Sequence, residues 1–173
     1  MLLFAVSGCQ SSVPSRASAR KLAAYHDEII VAGRRFPTGT RVVTWLDPDG
    51  YNAYAGAAPT TLRAGLKGVP ARREFAALQA GIDQFVLHYD GSGLSRLCFA
   101  TLQERKLSVH FLLDVDGTIY QTLDLRERAA HATIANDRSI GIEMANLGAY
   151  PETARNGRCS TNGTGVMRAE EPS

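Results

Sequence analysis

The chain has 173 residues, 45% hydrophobic and 21% charged, with 19 basic and 17 acidic side chains. That length makes one domain plus a tail and can bury a core. No apolar run reaches the length of a membrane span. A net charge of +2 with no basic patch argues against a nucleic-acid partner.

Residues 2–6 are apolar and lead into Val6-Ser7-Gly8-Cys9. This reads as the small-residue cleavage site of a bacterial lipoprotein precursor, cut before Cys9, which is then acylated. The expected location is therefore the periplasmic side of the cell envelope, with the membrane as a partner through the lipid on Cys9. A signal peptide opens on a basic segment and a longer apolar core, so the true start is expected upstream. Residues 10–19 are Ser-rich with Pro14, as in a flexible tether. The other cysteines, Cys98 and Cys159, form no Cys-x-x-Cys pair. Cys98 lies on a predicted helix and reads as a buried apolar residue, and a disulfide to Cys159 stays open.

Leu22, Tyr25 and Ile29 recur at helical spacing, which predicts a first helix over 18–31 stopped by Gly33. His26 beside that stripe reads as a packing or surface residue. Residues 36–70 are rich in Gly, Pro and Tyr, with a short strand at 41–46 ended by Asp47-Pro48-Asp49-Gly50. This stretch carries no chemistry and either packs on the domain or connects the tether to it. After Pro70 the pattern sharpens. Phe75, Leu78 and Ile82 predict a helix over 71–82, and Phe85-Val86-Leu87-His88-Tyr89 predicts a strand over 84–90. Ser92 is placed to cap a helix over 93–105. Residues 109–115 and 118–123 read as a hairpin around Asp116-Gly117. Residues 139–146 read as a further strand, and 151–173, without apolar periodicity, as an unpacked tail.

The fold class is therefore α/β, a mixed sheet flanked by helices. The division is a signal-like segment (1–8), a tether and first helix (9–35), a connecting region (36–70), a core domain (71–150) and a tail. Alternation puts Ile140, Ile142 and Met144 on one face of their strand, and Gly141, Glu143 and Ala145 on the other. His88 and Glu143 thus stand as ionisable residues in apolar strands. Burying either without a partner is costly, which points to a site on the sheet face.

Five segments carry a resemblance: Gln84-Phe85-Val86-Leu87-His88-Tyr89, Ser108-Val109-His110-Phe111-Leu112-Leu113, Asp116-Gly117-Thr118-Ile119-Tyr120-Gln121, Ala129-Ala130-His131-Ala132, and Ser139-Ile140-Gly141-Ile142-Glu143-Met144-Ala145-Asn146. In this order and spacing, over about residues 80 to 150, they resemble the N-acetylmuramoyl-L-alanine amidases of bacteria and phages. The peptidoglycan-recognition proteins of animals are similar. The resemblance implies cleavage of the amide between N-acetylmuramic acid and the L-alanine of the stem peptide. It makes peptidoglycan or muropeptides the partner and Zn2+ the cofactor. It makes His88 the first zinc ligand and Glu143 the acid–base residue that assists the attacking water. It gives His110 and His131 to the substrate-binding walls, although the three histidines also allow a three-histidine zinc site, and either of these two also reads as a hydrogen-bonded structural histidine. The family's other two ligands lie near the domain's C-terminal end, in a Gly-His segment and a segment ending Asp-Pro-Gly. Neither is found, and no His follows His131. The domain is therefore expected to be incomplete at its C-terminus, possessing an amidase's lineage with little activity. The alternative is a non-catalytic muropeptide-binding lipoprotein.

Overall fold

The computed structural model describes residues 26–148 except 57 and 59. Cys9, Cys159, the tether and the 151–173 tail lie outside the described residues. The main sheet has six strands in the order β1-β2-β6-β5-β8-β4. These are β1 His26–Val31, β2 Arg34–Thr44, β4 Gln84–Tyr89, β5 Phe111–Leu113, β6 Ile119–Gln121 and β8 Ser139–Met144. A second, two-stranded sheet pairs β3 Thr61–Leu62 with β7 Glu127–Arg128. Helices α1, Ala71–Gly81, and α2, Ser95–Glu104, complete an α/β fold with a mixed sheet. Strands β4, β8 and β5 are mutually parallel, while β2 and β6 run the other way. No described helix is long and apolar enough to cross a membrane.

The expected helix over 18–31 is corrected where it can be seen, because residues 26–31 form strand β1. Ile29, Ile30 and Val31 are β-branched and favour extended backbone. Ala32 and Gly33, both at positive φ (50° and 71°), make the two-residue turn that hairpins prefer. Gly33 therefore turns a hairpin instead of stopping a helix. Residues 36–70 do more than connect, since β2 lies inside the main sheet, parallel to β6. Its Val42 and Val43 are fully buried. Ser92 does not cap α2; Leu94 is the capping residue, without a side-chain hydrogen bond, and Ser92 Oγ donates to the Leu94 carbonyl.

Two cores sandwich the sheet. Cys98 and Leu102 of α2 pack with Val109 and Leu112, and with Tyr51, Phe99 and Tyr120 beside them. On the opposite face Phe111, Leu125 and Ile142 pack with Ile29, Val31, Leu113, Ile119 and Ile140. The predicted hairpin closes at Asp116-Gly117, with Gly117 at φ 83°. Edge strand β4 is less covered: Phe85, Leu87 and Tyr89 are 56%, 60% and 67% exposed.

Candidate active site

Strands β4 and β8 are in parallel register, and His88 stands opposite Glu143, with Val86 opposite Gly141. In a parallel ladder, residues in register share a face, so His88 and Glu143 lie side by side on the α2 face. Asp90 locks the ends of the two strands together. Its Oδ1 accepts from the Ser92, Gly93 and Asn146 backbone N–H groups.

His131 arrives from the loop before β8, and its Nδ1 lies 3.1 Å from His88 Nε2. The rings meet edge to face, 5.3 Å between centroids. Gly141 makes this possible, because a Cβ there would sit 2.6 Å from the His131 ring atoms. The loop is held by Asn136, which is buried and accepts from the backbone N–H of His131 and Ala132. His131 Nε2 is 3.2 Å from Ser139 Oγ.

His110 is not a wall of this site. It is fully buried, and its Nδ1 accepts from the Gly141 N–H at 3.1 Å. Its Nε2 lies 3.1 Å from the Glu127 carbonyl. Of the two places left open for it, substrate contact or a hydrogen-bonded structural position, its burial and hydrogen bonds match the second. Sequence reasoning also missed Arg63, which is 2% exposed. Its guanidinium donates to the carbonyls of Leu125, Asn136, Asp137 and Ser139 at 2.6–3.0 Å, and its Nη2 lies 2.9 Å from His110 Nε2. All four carbonyls belong to the stretch that delivers His131 and starts β8. Nothing local in the sequence marks this arginine, because every carbonyl that it holds is more than 60 residues away.

Burial sets the charge states. Burial and the Asp90 carboxylate raise Glu143 to about 7. Burial, then His88 and Arg63, lower His131 to about 4, and burial lowers His88. Neither Arg126 nor Arg138 pairs with Glu143: Arg126 pairs with Glu74 and Glu127, and Arg138 with Asp83. The site thus holds two neutral histidines beside a carboxyl group that exchanges a proton near neutrality.

The N-acetylmuramoyl-L-alanine amidase family matches residues 78–163, which include His88, His110, His131 and Glu143. The chain belongs to that family. No curated protein matches it closely. In this chain, Arg63 and β1 to β3 lie before the matched residues, so a segment outside the match supplies the clamp on the site's loop.

His110 gives the fold an acid sensitivity. Burial, then the Arg63 charge, lower it to about 3 from 6.5. Between those values the unfolded chain holds a proton that the folded chain refuses. The stabilisation is full above pH 6.5 and is lost on acidification, by about 1.4 kcal/mol per pH unit. The urea midpoint is expected to fall more steeply from pH 6.5 to 4.5 in the wild type than in His110→Asn, and equal slopes in the two folded proteins would sink the assignment.

Proposed function

We propose that the chain is a peptidoglycan hydrolase that cleaves the amide between the lactyl group of N-acetylmuramic acid and L-alanine. The observation that carries this reading is the side-by-side pairing of His88 with Glu143, whose carboxyl lies at about 7. Family members are generally zinc-dependent, and bound zinc supplies a water acidified to near neutrality and a polarised carbonyl. His88 Nε2 and His131 Nδ1 converge to 3.1 Å. A catalytic zinc site takes three protein ligands. Among the described residues no group of three or more His, Cys, Asp or Glu is placed to hold a metal ion. The described donor set does not fit zinc on its own, and the steps below use the protein groups alone.

Glu143, as the carboxylate, takes a proton from the attacking water while its oxygen bonds to the acyl carbon. The protonated Glu143 then gives that proton to the nitrogen as the C–N bond breaks, releasing a carboxylic acid and the free amine of alanine. A group at about 7 populates both forms near neutrality, which suits both halves of this exchange. The neutral histidine pair beside it offers an N–H to the carbonyl oxygen. A muropeptide-binding module that does not hydrolyse is the second reading, favoured by the two-histidine donor set.

The test is to incubate the full chain with a muramoyl-L-alanyl peptide, with and without added zinc, and to measure free alanine amine. Hydrolysis lost in His88→Ala is the expected result. Retention on sacculi without hydrolysis would favour the binding module, and neither binding nor hydrolysis would sink both readings. We also propose that Cys9 carries lipid and anchors the protein in the envelope, on the strength of Val6-Ser7-Gly8-Cys9. Several acyl chains hold a protein stably where one does not. Cys9→Ser is expected to move the protein from the membrane to the soluble fraction, and equal fractionation would remove this claim.

A further inference from the structure

A concavity among the described residues lies apart from the histidine pair. It measures about 550 Å3, and its lining includes Trp45, Tyr54, Asn52, Arg35, Asp124 and Arg126. Trp45 follows the C-terminal end of β2, which runs opposite to β8 and β4. The concavity therefore lies toward the end of the sheet away from His88 and Glu143. Most of its wall comes from residues before the family-matched segment.

The lining combines an aromatic wall with polar groups that mostly donate. Trp45 and Tyr54 sit with ring centroids 5.6 Å apart at 54°. Asp124 has little acceptance to spare, because its carboxylate already takes the N–H groups of Ala32, Gly33 and Arg126. The Tyr54 hydroxyl accepts from the Asp124 N–H, which leaves its own hydrogen to give. Asn52 Oδ1 is taken by the Tyr54 N–H, so its amide hydrogens are what it presents. Arg126 makes no hydrogen bond from Nε and holds only long ion pairs, 3.6 Å to Glu127 and 3.8 Å to Glu74. Arg35 is 45% exposed and holds only a 3.7 Å ion pair with Glu28. A fitting ligand has one flat apolar face for the rings and an edge rich in carbonyl and hydroxyl oxygens.

We propose that this concavity is a second binding site that takes an acetamido-sugar unit of a glycan strand. A pyranose ring lays its C–H face on an aromatic side chain, while its hydroxyls and acetamido carbonyl accept from Arg35, Arg126, Asn52 and Tyr54. The volume falls within the roughly 300–1,000 Å3 of small-molecule sites. Choosing an acetamido sugar over other hexoses rests on the hydrolase reading above. Holding a strand here raises the effective concentration of its stem peptides at the distant histidine site.

Trp45 is the chain's one tryptophan, so intrinsic fluorescence reports on this wall directly. The experiment titrates the full chain with tetra-N-acetylchitotetraose, with maltotetraose as the comparison. A saturable change with the first and none with the second is expected. Tyr54→Ala and Arg126→Gln should each weaken binding about fivefold to tenfold, and His88→Ala should leave it unchanged. No saturable response in the wild type, an equal response to maltotetraose, or undiminished affinity in folded Arg126→Gln would overturn the proposal. Binding of chitotetraose without hydrolysis of the muramoyl peptide would defeat only the hydrolase reading. Hydrolysis without chitotetraose binding would defeat only this site.

Discussion

Glu143→Gln is expected to lower kcat for the muramoyl-L-alanine amide by about 10²–10⁴-fold, the usual contribution of a positioned proton acceptor. The change keeps the shape of the side chain and removes the titrating group. Glu143 forms none of the ion pairs of the described residues, and it stands on β8 next to Gly141, which leaves room for the His131 ring instead of a packed wall. The melting temperature and the binding of sacculi should therefore change little. Burial now opposes ionisation of this carboxyl, so a neutral amide there costs no charge compensation. Early unfolding of the variant, or activity equal to wild type, would make Glu143 structural and return the proton transfer to another group.

Arg63→Met should bring the largest loss of stability. Methionine fills part of the volume and supplies no donor. Four buried or half-buried carbonyls then lose a charge-assisted partner, where a hydrogen bond to a charged group contributes roughly 1.5–3 kcal/mol. Relief of the arginine's own desolvation offsets part of this, a cost visible in its lowering to about 10 by burial. A net loss of about 3–5 kcal/mol is the expectation. Arg63→Lys should recover little, because one ammonium cannot reach carbonyls spread across the fork of a guanidinium. Urea denaturation measures this, and a loss below about 1 kcal/mol would mean that water replaces the guanidinium and the clamp is dispensable.

The parts of the fold that could be read from the sequence are those whose signal is local. Alternation placed His88 and Glu143 on one face, and the register of β4 with β8 agrees. Asp116-Gly117 marks its turn locally, in a loop closed between Asp114 and Thr118 with Gly117 at positive φ. Strand β1 is masked in the sequence because Leu22, Tyr25 and Ile29 happen to fall at helical spacing. The β-branched run Ile29-Ile30-Val31 before an Ala-Gly turn was the better signal, and tertiary pairing with β2 makes it a strand. His110 looked like a wall residue because the sequence shows a histidine in a motif but not what buries it. Arg63 and the Trp45 concavity lay in a Gly- and Pro-rich stretch without periodicity. Their meaning comes only from groups far along the chain, such as the Ser139 carbonyl and Asp124.

Strand β4 carries His88 at the margin of the sheet, with β8 as its one strand neighbour among the described residues. Its outward side chains Phe85, Leu87 and Tyr89 are more than half exposed, so little apolar burial holds it down. Local opening free energies in a protein range from near zero up to that of global unfolding, and margins of this kind open first. Detachment of β4 would part His88 from both Glu143 and His131 while β5, β6 and β2 keep their pairing. The working constellation therefore exists only as long as its least secured strand stays zipped. Its lifetime is set by the peeling of six residues, Gln84–Tyr89, and not by the stability of the buried core behind them.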